Sequence, residues 1–498
     1  MKKLQLLLIL LFAITSVIGQ NINPDEDEIY REGEVAIIRL IMSESDKAFM
    51  LDDANVWSEE YLPTSFQFTN SQMDTLLTFN VGVRLRGNSS RSHPKRSFKI
   101  KFKEYDGEKF FGYKKFNLKA ENNDPSMVRE MLTLQTFRNE NVPAARTHHV
   151  EVYINDEYMG IYLNVEQLDD EFTKSRFTYD EGNLYKCTWG ANLLDDGQIY
   201  DNGIYELKTN KSDNDRSILD AFVKVLNNTS ESDFEIEIEK VFNVDKFIKY
   251  LAVETLTGHW DGYSYNMNNF YLYENEDGRI EFIPYDVDNT FGIDWVDRDW
   301  GTRDVLDWAS HGDARPLTKR ILARGKYMYD YKVTLDSMLN EDFSEAYFFP
   351  EFDKHKSLLA DAFSRDLYFP LTFGFTYADF ENSDSQEVIS HAPYGLKPYI
   401  TTRTTLAREQ IGTITDVPNP LGIDVTLYPN PSSGNSILIK TSELLNYSNL
   451  SVKNAQGRDI SFSISSQNDN IKVRFDSFLS VGMYVLLIDG KPKKFMVR

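Results

Sequence analysis

A single cysteine, Cys187, stands among the 498 residues. No intramolecular disulfide can form, so the fold must rest on its core, and dithiol redox chemistry is excluded. Cys187 itself reads as a packing residue. Long apolar runs are missing after the first eighteen positions. A bilayer span takes ~20 such residues, so no later segment is expected to cross a membrane. Basic charge is scarce: 54 Lys plus Arg face 77 Asp plus Glu, a net of −23. That balance argues against a nucleic-acid partner, which calls for a basic footprint. It also makes any basic cluster inside the chain informative. No internal repeat is evident.

What the chain has is core-forming material, 28 Tyr and 33 Phe within 41% apolar residues. At this length one core does not suffice, and at least two lobes or domains are expected. Lys2 and Lys3 precede an apolar run from Leu4 to Ile18, with the small Gly19 behind it. This describes a secretory signal peptide over 1–19, the alternative being a membrane anchor. Asn21 to Gly33 is an acidic lead, and dense strand and helix patterning occupies 35–414. Residues 415–423, with Pro418, Pro420 and Gly422, have linker chemistry. From 424 to 498 apolar and polar residues alternate between turn signals, which predicts a small all-β sandwich.

Two stretches alternate strictly. Val81, Val83 and Leu85 interleave with Arg84 and Arg86, and Phe98, Ile100 and Phe102 with Lys99, Lys101 and Lys103. Period two predicts half-buried strands. The turn between them opens with Gly87, Asn88 and Ser89. Small turn residues with free backbone N–H groups, flanked by cations, suit phosphate; a solvated basic hairpin is the plainer alternative. Eight Arg or Lys fall between Arg84 and Lys103, with no Asp or Glu among them. Further on, Asp124-Pro125 is expected to start a helix, with Met127, Met131 and Leu134 as its apolar stripe. Glu130, on the rim of that face, reads either as a surface glutamate or as one reaching a strand lysine, as in kinases. Val150 to Val165 predicts a hairpin around Asn155-Asp156-Glu157. It ends at Glu166-Gln167, a candidate hinge in which Glu166 could meet a nucleotide.

The strongest constellation follows. Asn243 can cap a helix through Val244, Phe247, Ile248, Leu251 and Leu256, stopped by Gly258. Directly after it come His259, Asp261 and Asn266, at the spacings of the kinase catalytic loop H-R-D-x-x-x-x-N, with Trp260 in place of the arginine. A hairpin through Phe270–Tyr273 and Ile280–Ile283 turns at Asp277-Gly278, and at its end stand Asp286 and Asp288. Catalytic loop, hairpin, then metal-binding aspartate is the order kinases use. Two carboxylates ~4 Å apart repel by ~4 kcal/mol at an effective dielectric of about 20, so a proton or a cation must sit between them. Magnesium, bound to one or two carboxylates plus phosphates, meets that need. An EF-hand is rejected because neither its Gly nor its terminal Glu falls at the required spacing.

Arg84 to Phe102, Gly160 to Gln167, Asp261 to Tyr273, Ile283 to Gly292 and Gly395 to Ile400 together resemble the signature segments of the CotH kinase family. The resemblance covers about 35–414. It implies an α+β, divergent two-lobed protein-kinase-like fold. It also implies phosphate transfer from ATP, with Mg2+ or Mn2+, to Ser/Thr hydroxyls of exported or surface proteins. Asp261 would be the catalytic aspartate, Asp286 a metal ligand and Asn266 a second, with Asn268 and Asp288 near enough to compete. Arg86, Gly87, Asn88, Ser89 and either Lys99 or Lys101 would hold the nucleotide's phosphates.

The opening Leu427-Tyr428-Pro429-Asn430-Pro431, the segment Gly482 to Ile488 and the basic tail Lys494 to Arg498 resemble the C-terminal sorting domain of type IX secretion substrates in Bacteroidota-like bacteria. That implies passage through the type IX machinery to the surface or beyond, with removal of this domain. The competing class is a secreted interaction protein that keeps the fold without the activity, because an exported chain meets little ATP.

Overall fold

The computed structural model describes residues 21–498 except 106, 311, 313, 387–388, 415–424, 442–449, 455–457, 468–469 and 489–490. The signal peptide expected at 1–19 and the linker expected at 415–423 lie outside the described residues. Two compact units make up the chain: one holds the residues up to Leu322 with Tyr331–Gly412, the other Ala323–Asp330 with Thr413–Arg498.

Seven strands of the first unit close into a barrel. Their order is β1 (Val35–Ile41), β2 (Leu62–Asn70), β3 (Met73–Arg86), β4 (Ser97–Lys101), β5 (Lys115–Lys119), β7 (Glu157–Glu166) and β6 (Thr147–Ile154), with β6 returning parallel to β1. Alternation builds it. Val81, Val83, Leu85, Phe98, Ile100, Phe116 and Leu118 fill the interior. The residues between them, Arg84, Arg86, Lys99, Lys101, Asn117 and Lys119, belong to the outer face. The register sets Arg84 opposite Lys99, Lys99 opposite Asn117, and Asn117 opposite Val165. One outer wall of the barrel is therefore basic. The β6–β7 turn at Asn155-Asp156 has φ of +50° and +65°, the paired left-handed residues that a tight hairpin demands.

Between β5 and β6 the helix spans Arg129–Asn139, a later start than Asp124-Pro125 indicated. Met127, at φ +62°, turns the chain so that Asp124 caps from a distance. Its carboxylate accepts the Ser126, Val128 and Arg129 N–H groups at 2.8, 2.9 and 2.8 Å and pairs with the Arg129 guanidinium. The helix Val244–Thr257 has Asn243 as its N-cap and the left-handed Gly258 as its C-cap. Phe137 stacks on Tyr250 of that helix, 5.1 Å between ring centroids. A second sheet of this unit runs β11 (Ile280–Pro284), β10 (Phe270–Glu274), β8 (Leu184–Cys187), β9 (Tyr205–Leu207). Cys187 is buried in it, and burial pushes its thiol well up.

From Val425 on, the described residues of the second unit form strands and turns only. One sheet holds β12 (Val425–Tyr428), β13 (Ser436–Thr441), β17 (Asn470–Phe475) and β16 (Phe462–Gln467); the other holds β15 (Asp459–Ile460), β14 (Leu450–Asn454), β18 (Gly482–Ile488) and β19 (Lys491–Val497). Ile437, Ile439 and Val473 of the first share a core with Val452, Leu486 and Phe495 of the second. Asn430 Oδ1 accepts the Met496 N–H at 2.9 Å, which ties the Pro-Asn-Pro opening to the terminal strand. Among the described residues no helix is long and apolar enough to cross a membrane.

Candidate active site

Lys119 is the last residue of β5. Its Nζ contacts Glu130 on the following helix and Asp286 Oδ1 at 2.6 Å, with Asp288 at 3.6 Å and Glu121 at 3.9 Å. Burial works against this ammonium, but Asp286, Asp288, Glu130 and Glu121 outweigh it and hold the group well above lysine's ordinary range. Four carboxylates around one ammonium leave the cluster net negative. Asp288 and Glu121 register that excess. Burial pushes both up, and neighbouring carboxylates, Asp286 for the one and Glu130 for the other, push the same way against the pull of Lys119.

Asp261 follows the Val244–Thr257 helix and is held by amides. Its carboxylate accepts from Asn266 at 2.5 Å, Asn269 at 2.9 Å, Asn268 at 3.3 Å and Asn289 at 3.5 Å. Burial pushes this carboxyl up, and the Asn266 and Asn268 amides pull against it. The backbone around it is tightly wound: Met267, Asn269 and Asp286 have φ of +54°, +53° and +52°, strained values that gather at functional sites. Gly262 fits because a Cβ there would stand 2.4 Å from Glu254 Oε1 and 2.9 Å from His259 Cδ2. His259 is fully buried, and burial drives it down to about 3, so the ring is neutral. Trp260 donates its indole N–H to Ile293 O at 2.8 Å and stacks on Trp300 at 5.5 Å. The indole in the arginine's place thus ties this loop to the chain beyond Asp286.

Between the basic barrel wall and the second sheet lies a cleft lined by Arg86, Lys99, Lys119, Lys186, Lys208 and Asp286, and bordered by Glu166–Leu168. Lys99 Nζ donates to Gln167 Oε1 at 2.9 Å. Burial, then the cations Arg86 and Lys115, push the Lys99 ammonium down to about 6.

Other expected donors turn elsewhere. Lys101 pairs with Glu104 and is not part of the lining. Gly87 and Asn88 are exposed and do not line the cleft, and Ser89 opens a one-turn 3-10 segment. Carboxylates from distant segments take the loop's cations. Arg84 and Arg91 meet Glu59 at 2.7 and 2.5 Å, Lys95 meets Asp366 at 2.6 Å, and Arg96 meets Asp53. Of the cations expected to meet phosphate, Arg86 and Lys99 line the cleft. Glu166 borders the cleft with its carboxylate already engaged. Arg146 at 2.9 Å and Arg176 at 2.5 Å occupy its carboxylate and, against burial, hold it down to about 2. Glu130 is not a surface glutamate, being 1% exposed. Lys119 escaped the sequence reading. Its signal was the short alternation of Phe116 and Leu118 with Asn117 and Lys119, just ahead of the helix that carries Glu130.

The acidic cluster suits a hard cation. Asp286 and Asp288 offer carboxylate oxygens, and Asn266 and Asn268 keep carbonyl oxygens while their amides face Asp261. An oxygen-only set of net negative charge fits magnesium or manganese that completes its shell with substrate phosphates. Among the described residues no three His, Cys, Asp or Glu side chains form a metal cage on their own.

A strand lysine paired with a helix glutamate, facing one aspartate before a hairpin and another after it, is the layout of a kinase-class active site. The chain belongs to the family described as CotH kinase protein, whose model matches residues 83–405. Residues 426–498 match a secretion system C-terminal sorting domain. Over 304 residues the chain is 28% identical to the inner spore coat protein H of Bacillus subtilis, covering 60% of this chain and 80% of that one. Over 194 residues it is 27% identical to invasin CotH2 of Rhizopus delemar, covering 36% of this chain and 32% of the fungal protein. A solved proinflammatory kinase of Helicobacter pylori, CtkA, covers 62% of this chain and 92% of its own at 10% identity, with a TM-score of 0.23.

Proposed function

We propose that this chain is an exported atypical kinase that transfers the terminal phosphoryl group of magnesium-bound ATP to Ser/Thr hydroxyls of exported or surface proteins. Its kinase-like body, two-lobed, is taken to span about 35–414, and residues 424–498 direct it through the type IX machinery. One observation carries the reading: Lys119 touches Glu130 and Asp286 at once.

Lys119 and Arg86 hold donor phosphates, and Glu130 keeps Lys119 extended into the cleft. A bound magnesium ion would neutralise the phosphate oxygens, with Asp286 as its first protein ligand and Asp288 or Asn266 as companions. Asp261, its two oxygens fixed by amides, accepts the hydrogen bond of the acceptor hydroxyl and aims that oxygen at phosphorus. The new O–P bond forms as the bridging P–O bond breaks, the electron pair leaves with ADP, and the hydroxyl proton passes by way of Asp261 to water. The test is thermal unfolding of the exported protein with ATP, with and without magnesium. A rise that needs both supports the reading, and no rise under either condition hands the chain to the non-catalytic interaction class.

A further inference from the structure

We propose that the cleft recognises its donor as a chain of phosphates along its whole length, inorganic or nucleotide-borne, and makes little use of a base. This inference rests on the phosphotransfer reading and names the substrate class of the same site.

Beyond Lys119, four cations line the cleft: Arg86 at the end of β3, Lys99 on β4, Lys186 on β8 and Lys208 just after β9. They come from both walls and sit on or beside strands, so their positions are set by two sheets and not by a pliant loop. Lys99 lines the cleft beside Gln167, whose neutral amide oxygen accepts its ammonium N–H at 2.9 Å. The charged groups that act most strongly on Lys99 are Arg86, Lys115, Arg84 and Lys208, all cations. Glu166, a carboxylate bordering the cleft, is engaged by Arg146 and Arg176 and cannot neutralise them. Lys208 has Glu206 at 2.7 Å, and Lys186 lies over the Tyr285 ring at 4.7 Å.

Gathered, half-buried ammonium groups are unfavourable until an anion joins them. A neutral base beside Lys99 and Arg86 leaves that repulsion in place. A phosphate relieves it with charge-assisted hydrogen bonds. In the transfer the acceptor oxygen bonds to the terminal phosphorus, the P–O–P bridge breaks, the electron pair stays on the shortened chain, and the proton leaves through Asp261.

The experiment is calorimetry of the full chain in magnesium with inorganic tripolyphosphate, ATP and adenosine. Tripolyphosphate should bind within about threefold of ATP, and adenosine should not bind at about millimolar concentration. Lys99→Gln should weaken both phosphate ligands by about tenfold or more, and Lys99→Arg should restore them, with unfolding curves showing both variants folded. Intact-mass assay of phosphate addition with each donor separates an inorganic chain from a nucleotide as the source. ATP binding more than about thirtyfold tighter than tripolyphosphate, or no effect of Lys99→Gln, overturns the inference and leaves the phosphotransfer reading standing. Binding of neither phosphate ligand overturns both.

Discussion

The Lys119 ammonium lies 2.6 Å from Asp286 Oδ1 while it also pairs with Glu130. One atom thus gathers a barrel strand, the helix after it and the segment beyond β11. The groups proposed to bind phosphate and metal are brought together by that contact.

Glu254 supplies a pH signature. It is fully buried below the Asp261 loop, where its carboxyl meets the Ser264 hydroxyl at 2.5 Å, and burial pushes it up to about 8. An unfolded glutamate titrates near ~4.3. Between these values the folded state binds the extra proton, so this group's contribution makes stability fall as pH rises from about 4.3 to about 8. Glu254→Gln removes that slope. In urea melts at pH 5 and pH 8 the variant should lose less stability than the wild type, by roughly 1–3 kcal/mol. Identical pH dependence would exclude a protonated Glu254.

Asn289 orients Asp261. It donates to Asp261 Oδ2 at 3.5 Å and accepts the Trp295 indole N–H at 3.2 Å, while Trp295 stacks on His391 at 4.2 Å. Asn289→Ala should slow transfer by ~10-fold or more and leave Mg-ATP affinity within about threefold, since only the acceptor side loses geometry. Trp295→Phe should act in the same direction more weakly. Equal losses of binding and rate would place Asn289 in donor binding instead.

Lys95 and Asp366 form an ion pair with both side chains fully buried, and Lys95 Nζ also donates to Ile161 O at 2.7 Å. Removing one member strands the other. Lys95→Met should cost ~3–5 kcal/mol in a denaturant melt, and a loss below about 1 kcal/mol would show that the pair is solvated in solution.

Local patterns were legible in the sequence. The Asn243 and Gly258 helix ends, the β10–β11 hairpin and the spacing of His259, Asp261 and Asn266 each depend on neighbours a few residues apart. What long-range packing decides was not. Lys99 and Lys119 sit on alternating strands alike, and it is Lys119, at the end of β5, that meets Glu130 once the following helix packs back. The run from Arg84 to Lys103 looked uncompensated because most of its carboxylates lie outside it, Glu104 just beyond its end and Asp366 271 residues from Lys95. The late helix start at Arg129 reflects the left-handed Met127 and the Asp124–Arg129 pair, neither of which a propensity reveals.

The division of labour between Asp286 and Asp261 is the central claim, and calorimetry of Mg-ATP with wild type, Asp286→Ala and Asp261→Asn tests it most directly, paired with intact-mass assay of phosphate addition. Asp286→Ala should abolish metal-dependent binding together with transfer. Asp261→Asn should bind within a few-fold of wild type while transfer falls by ~10²–10⁴. All three proteins must show cooperative unfolding, because an aspartate in such a loop also holds its amide partners. A wild type that binds no nucleotide with magnesium or manganese contradicts the kinase reading, and equal loss of binding in both variants contradicts the separation of their roles.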